Sequence, residues 1–330
     1  MTTIKNIYGD LVEEINMMHD IPDAAKQHLI ASIMRAKDEP VNLLITGPTG
    51  CGKSSTINAI FNLQVARVGV GVDPETMEIA EYKLGNLTIY DSPGLGDGKE
   101  NDLRHSSKIR ELLRKTDANG NAVIDLVLVI VDGSTKDLGT TYSLLEEVII
   151  PELGDERSKR LLVAINQADV AMKGKHWDHE NCCPDDTLKA FLDEKVASIH
   201  NRLLQNTCVS VEPIYYCAGY KEEGGEQMPP YNLSKLLLYI FRAIPPFKRL
   251  VVAQNVNQDK ENFANSDHEE NYEEEIKKSL LDCVADGAKE GSEIGGTIGS
   301  VLGGKGGEVV GRAIGAVIGG IGGFIGGLFR

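Results

Sequence analysis

The chain has 330 residues, enough for one large core with an appendage or for two modest domains. Hydrophobic residues make up 42% and charged residues 25%, an ordinary globular balance, while a net charge of −15 argues against a broad nucleic-acid backbone contact. The start lacks the basic and apolar regions of a secretory signal, so a cytoplasmic body is expected, and six irregularly spaced cysteines fit reduced thiols rather than a disulfide framework.

Residues 1–36 read as two short helices with apolar stripes, Ile7, Leu11, Ile15 and Met18 on one and Leu29, Ile30, Ile33 and Met34 on the other. Strands are predicted at 41–46, 77–84, 87–91, 125–131, 160–166 and 211–217, alternating with helices near 53–62, 101–115, 139–149, 186–205 and 233–243. Several of the strands are continuous apolar runs, the pattern of a parallel sheet with helices on both faces. The run 77–84 instead alternates and meets 87–91 through Gly85–Asn86, which predicts an antiparallel hairpin at one edge. The expected organisation is a helical segment 1–39, an α/β domain 40–246, a polar acidic linker or helix 247–286 and a glycine-rich tail 287–330.

The chemistry is concentrated where strands end. Residues 43–56, LLITGPTGCGKSST, fit G-x-x-x-x-G-K-[ST] with Gly47, Gly52, Lys53 and Ser54, between a predicted strand and helix. Glycines at 50 and 52 let the backbone wrap closely, so that N–H groups of Thr49, Gly50, Cys51, Gly52, Lys53, Ser54 and Ser55 converge on phosphate oxygens at a helix N-terminus. Lys53 would neutralise the outer phosphates, and the Ser54 hydroxyl would ligate Mg²⁺. For Cys51 only the backbone is required, and its thiol is filler by default.

NQAD, residues 166–169, follows the strand at 160–166 and selects the base. A carboxylate at Asp169 accepts from both N1–H and the exocyclic amine of guanine, a donor pair adenine lacks, while Asn166 would brace neighbouring loops and Gln167 lies between them. In YDSPGLGDG, Asp91 would hold Mg²⁺ through water and the Gly94 N–H would meet a γ-phosphate. Thr76, in the segment between this motif and the phosphate loop, is the candidate switch threonine that completes the Mg²⁺ shell and senses the γ-phosphate. The last base-side loop is CAG, 217–219, with the Ala218 backbone at the base edge. A further grouping, His176, His179, Cys182 and Cys183, has adjacent cysteines that suit one tetrahedral zinc poorly, and a structured loop is the expected role.

The order GPTGCGKSS, PET, DSPGLGDG, NQAD and CAG resembles the translation-factor-related class of GTPases, nearest the Era-like group and its bacterial relatives with a glycine-rich C-terminus. The phosphate loop is also similar to that of the immunity-related GTPases. The resemblance covers about residues 40–245 and implies a Ras-like α/β fold, Mg²⁺-dependent GTP binding and slow hydrolysis to GDP, with nucleotide state as a conformational signal. Three departures stand out. Gln167 replaces the usual lysine; Leu95 follows Gly94 where some members place a water-orienting glutamine; and Gly50 replaces the asparagine of potassium-activated members. No KH-type RNA-binding unit follows the domain.

The tail carries glycine at every fourth position from Gly287 to Gly327, eleven in all, which oppose an isolated helix by about 10 kcal/mol. Such a stripe suits close helix crossings, as in a glycine zipper. Ala313–Phe329 is uncharged over 17 residues, the short edge of a membrane span, and seven of these are glycine. Engagement of membrane lipid and packing into a homo-oligomer are both allowed. Three readings of the whole follow: a GTP-hydrolysing switch whose tail engages membrane or self-assembles, a soluble Era-like GTPase acting on ribosome or RNA, and a nucleotide-binding scaffold with negligible hydrolysis.

Overall fold

The computed structural model describes residues 6–17, 19, 23–61, 63, 78–96, 98–221 and 227–280. Thr76, Met18 and the tail 287–330 lie outside the described residues.

Two helices, α1 (Ile7–Met17) and α2 (Asp23–Asp38), precede the first strand, β1 (Val41–Thr46). Their stripes face inward, with Ile7, Leu11, Ile15, Leu29 and Ile33 buried, whereas Met34 is turned out to solvent. The phosphate loop then leads into α3 (Lys53–Ile60). An edge hairpin follows, β2 (Ala80–Leu84) and β3 (Leu87–Asp91), and then α4 (Lys99–Leu113) and β4 (Leu126–Asp132). The sheet runs β2-β3-β1-β4-β5-β8, with β5 at Leu161–Asn166 and β8 at Ile214–Tyr215. Every pairing in it is parallel except β2 with β3. This is the Ras-like P-loop arrangement, a mostly parallel six-stranded sheet with one antiparallel edge strand and helices on both faces.

Strand alternation divides the core. On β4, Leu126, Leu128 and Ile130 join the cluster beneath α1, α2, α3 and the C-terminal helices, while Val127, Val129 and Val131 join the cluster on the opposite face. That second face is covered by α4, by α5 (Gly139–Ser143) and by the long helix α7 (Asp186–Thr207), which follows the short α6 (Arg157–Arg160). The helix begun by α5 continues as a π-helical stretch, Leu144–Ile149. Pro151 has no N–H to return to the Glu147 carbonyl, and Arg110 Nη2 donates to that oxygen instead, at 3.0 Å. A ribbon of β6 (Trp177–Asp178) and β7 (Cys183–Pro184) leads to Asp185, which caps α7 by accepting from the Thr187 and Leu188 amides.

Two strands are shorter than the sequence predicts. β2 begins at Ala80 rather than at 77. β8 keeps only Ile214 and Tyr215 because Cys217 exchanges both backbone hydrogen bonds with Tyr231, each 2.9 Å, and Pro213 has no N–H to offer the sheet. Beyond α8 (Leu233–Ala243) the chain stays on the domain. Lys248 pairs with Asp125 at 2.7 Å, and in α9 (Arg249–Gln254) the buried Arg249 donates to the carbonyls of Ile244 and Ser279. Residues 272–280 are helical and bury Tyr272, Ile276 and Leu280 in the core shared with α1 and α2. The acidic stretch is tied down as well, Asp267 accepting from Lys235 Nζ at 2.7 Å and from the Tyr272 hydroxyl.

Candidate functional site

The predicted loops meet at the C-terminal ends of β1, β3, β5 and β8. Gly47–Gly52 turns from β1 into α3 with φ of +77° at Gly50 and +88° at Gly52. The second of these leaves no choice of residue, since a Cβ on Gly52 would lie 2.2 Å from Asn166 Nδ2. Lys53 folds back over its own loop, its Nζ donating to the carbonyls of Gly47 (3.2 Å) and Pro48 (3.0 Å). Ser55 sits beside Ser54 in the first turn of α3, partly exposed. Behind the loop, Thr56 Oγ1 meets the hydroxyl of the fully buried Tyr216 at 2.6 Å, which anchors α3 to the segment after β8. Burial pushes the Cys51 thiol up to about 11, so this cysteine is a packed neutral thiol.

Asn166 joins three loops. It is 2% exposed, its Nδ2 donates to Cys51 O at 2.9 Å, and its Oδ1 accepts from Ala218 N at 3.0 Å. In this arrangement, therefore, the Ala218 N–H expected at the base edge is held by Asn166. Gln167, at φ +61°, sends Nε2 to Gly50 O at 2.8 Å, so the residue in the lysine position still ties the base-side loop to the phosphate loop. Asp169 is half-buried, and burial together with the Asp169 carboxylate holds the adjoining Cys217 thiol well above its ordinary range.

On the third side, Ser54 Oγ donates to Asp91 Oδ2 at 3.2 Å. Asp91 is 4% exposed and its Oδ1 has no hydrogen-bond partner. A buried carboxylate oxygen with an open coordination position beside a serine hydroxyl is what a hard divalent cation such as Mg²⁺ requires, so these residues fit the ion. Burial holds the Asp91 carboxyl above its usual range, against the opposing pulls of Lys53 and the Ser54 hydroxyl. A carboxyl raised in the folded state contributes stability below its unfolded value of about 3.9 and loses it as pH rises through the folded value. At neutral pH the ionised Asp91 is thus a cost to the nucleotide-free protein. Asp91→Asn is expected to raise the thermal midpoint of the nucleotide-free chain at neutral pH and to flatten its dependence over the range just above the ordinary carboxylate value. Melts across that range check this, and a variant that reproduces the wild-type profile overturns it.

The remaining residue of this motif is Gly94. It lies directly on the phosphate loop, where a Cβ would be 2.2 Å from Thr49 Oγ1 and 2.6 Å from Thr49 N. The Thr49 N–H donates to Leu95 O at 2.9 Å, and Leu95 N reaches Gly47 O at 3.4 Å. The Leu95 side chain is buried in the core, and the amide of Thr49 is engaged by protein. Below this loop His105, which sequence reasoning passed over, is 2% exposed with Nδ1 3.3 Å from Gly94 O and Nε2 buried without a partner. Its signal was present, as His105, Ile109 and Leu112 form one inward stripe on α4.

The His176–Cys183 stretch forms the β6–β7 turn. His176 Nδ1 lies 2.8 Å from Asp185 Oδ2, and Cys182 Sγ points to His179 O. Among the described residues no group of three or more His, Cys, Asp or Glu is arranged to hold a metal ion, and no helix is long and apolar enough to cross a membrane.

Residues 42–167, which carry the phosphate loop, Asp91 and Asn166, match the model of a family described as 50S ribosome-binding GTPase. The chain is similar to the uncharacterised protein YfjP of Escherichia coli K12, 31% identical over 137 residues that cover 40% of this chain and 43% of that protein. It is also similar to translocase of chloroplast 159 of Arabidopsis thaliana, 28% identical over 160 residues, 45% of this chain and 10% of the relative. The chain thus spans less than half the length of these two relatives. Among solved structures, Toc33 of Arabidopsis thaliana in complex with GDP and Mg²⁺ is 18% identical with a TM-score of 0.36, covering 62% of this chain and 82% of Toc33.

Proposed function

We propose that the chain is a Mg²⁺-dependent GTPase that acts as a nucleotide-state switch, with the glycine-rich tail 287–330 as the element it offers to membrane lipid or to other copies of itself. The observation that carries the nucleotide reading is the Asn166 junction, which joins the phosphate loop, NQAD and CAG through hydrogen bonds of 2.9 and 3.0 Å. Around it, the backbone N–H groups of the loop from Thr49 to Ser55 are the phosphate cradle and Lys53 the phosphate cation. Asp169 selects guanine, with Asn166, Gln167 and the Ala218 backbone bordering the base. Ser54 and Asp91 hold the cation, joined by Thr76 from the switch segment. When bound, Mg²⁺ neutralises charge on the terminal phosphates.

The Thr49–Leu95 bridge gives the switch its second state. The Thr49 amide cannot serve a phosphate oxygen while it donates to Leu95 O, so on this reading entry of the terminal phosphate breaks that bond and lifts the DSPGLG segment, with the Gly94 N–H meeting the phosphate. Leu95 has no group to orient water, and hydrolysis by the isolated chain is expected to be slow. Single-turnover assays should give Mg²⁺-dependent phosphate release above background; none would favour a non-hydrolysing scaffold. In liposome flotation the full-length GTP-loaded chain should float and a chain ending at 286 should not. A full-length chain that stays soluble in both nucleotide states removes the membrane arm, and a monomer in both states removes self-assembly.

A further inference from the structure

The base-side loop rests on another loop, residues 132–135, which no motif marks. Lys195 lies near the middle of α7, in register with the buried stripe Leu188, Leu192, Ile199 and Leu203, where a further apolar residue would serve packing. Its Nζ donates instead to three carbonyls of one loop, Asp132 (3.0 Å), Gly133 (2.8 Å) and Thr135 (2.6 Å). An ammonium has three donors, and all three are used here on backbone oxygens. The Asp132 carboxylate is engaged within the loop, Oδ1 accepting from Ser134 N and Ser134 Oγ at 2.7 Å each. Burial lowers the pKa of Lys195 against the pull of Asp132, the cost of placing a cation on an inward stripe.

The gathered loop presses on the guanine-side motif. Gly133 N donates to Asn166 O at 2.8 Å, and a Cβ on Gly133 would lie 2.5 Å from Asn166 O and 3.1 Å from Gln167 O. A shift of residues 132–135 is therefore passed directly to the backbone that carries Asn166, Gln167 and Asp169. We infer that Lys195 is a positioning residue for guanine recognition: it fixes the 132–135 loop against the Asn166–Gln167 backbone and so aims Asp169 at the base. The inference rests on the guanine-nucleotide reading. It differs from the direct phosphate grip of Lys53, because the Lys195 Nζ hydrogen bonds go to the carbonyls of Asp132, Gly133 and Thr135.

The test compares GDP with inosine diphosphate, which lacks the exocyclic amine, by calorimetry in Mg²⁺ on the full chain. Lys195→Met, which keeps the stem and removes the donors, is expected to weaken GDP about tenfold and inosine diphosphate much less, so that the ratio of the two affinities falls at least threefold. Lys195→Gln, with two N–H donors, should fall between wild type and Lys195→Met, and it carries the test if the methionine variant does not fold. Equal weakening of both nucleotides, or an unchanged ratio at wild-type affinities, overturns the inference and leaves the guanine reading intact. A wild-type chain that binds no GDP removes the guanine reading and this inference with it.

Discussion

Lys53→Ala is expected to reduce GDP affinity by about two to four orders of magnitude. A lysine on a phosphate makes charge-assisted hydrogen bonds worth about 1.5–3 kcal/mol each, and losing two of them amounts to about 3–6 kcal/mol at 1.4 kcal/mol per decade. The fold has little to lose. In the nucleotide-free protein Nζ caps only the carbonyls of Gly47 and Pro48 at the mouth of the loop, and water can take its place there. The variant should therefore melt close to wild type without nucleotide and lose the ligand-induced rise, which for wild type at a hundredfold excess over Kd corresponds to about 2.7 kcal/mol. Calorimetry with GDP and Mg²⁺, paired with thermal melts, separates these effects. Wild-type affinity in the variant would sink the assignment of residues 47–54 to phosphate.

The fold was legible because its strongest elements are its most apolar ones. LVLVIVD and LLVAIN have nowhere to go but the middle of a covered sheet, and they pair there over six residues. Gly85–Asn86 placed the one antiparallel connection of the six-stranded sheet. The hairpin, the phosphate loop and the NQAD turn are all local, and local patterns survive in sequence. What escaped was set by contacts distant along the chain. β8 was overestimated because Cys217 is claimed by Tyr231, a partner fourteen residues on that no strand pattern reveals.

The stretch 247–280 shows the same limit. Its glutamates read as a solvated face, and several are, but Lys235 and Arg242 on α8 draw Asp267, Glu269, Glu270 and Glu275 onto the domain. Tyr272, Ile276 and Leu280 follow at four-residue spacing into the core. Composition averages over such a stripe, whereas three stripe positions among six polar ones are enough to dock a helix. In the candidate site, Lys53, Asn166 and Asp169 were singled out by motif chemistry. Lys195 and His105 were not, because each stands in an amphipathic helix where only its place on the inward stripe distinguishes it from a surface residue.

Asp169→Asn is expected to reverse base preference rather than abolish binding. Guanine presents two donors, N1–H and the exocyclic amine, and a carboxylate accepts both. An asparagine amide offers one acceptor and one donor, so its NH₂ would face the guanine amine with a donor against a donor. Losing one charge-assisted bond and weakening the other costs about 3–4 kcal/mol, some two to three orders of magnitude in GDP affinity. Xanthine keeps N1–H and replaces the amine by a carbonyl, which restores complementarity to the amide, so xanthosine diphosphate should bind the variant better than GDP does. The rest of the junction should hold, because Asn166 and Gln167 make their bonds to Cys51, Ala218 and Gly50 without Asp169. Cys217 loses a neighbouring charge, yet burial is the larger cause of its raised pKa, and the thiol stays neutral. Competition between the two diphosphates on wild type and variant decides the matter. If GDP keeps its lead in the variant, Asp169 does not read the purine, and the loop after β5 is a brace for the phosphate cradle alone.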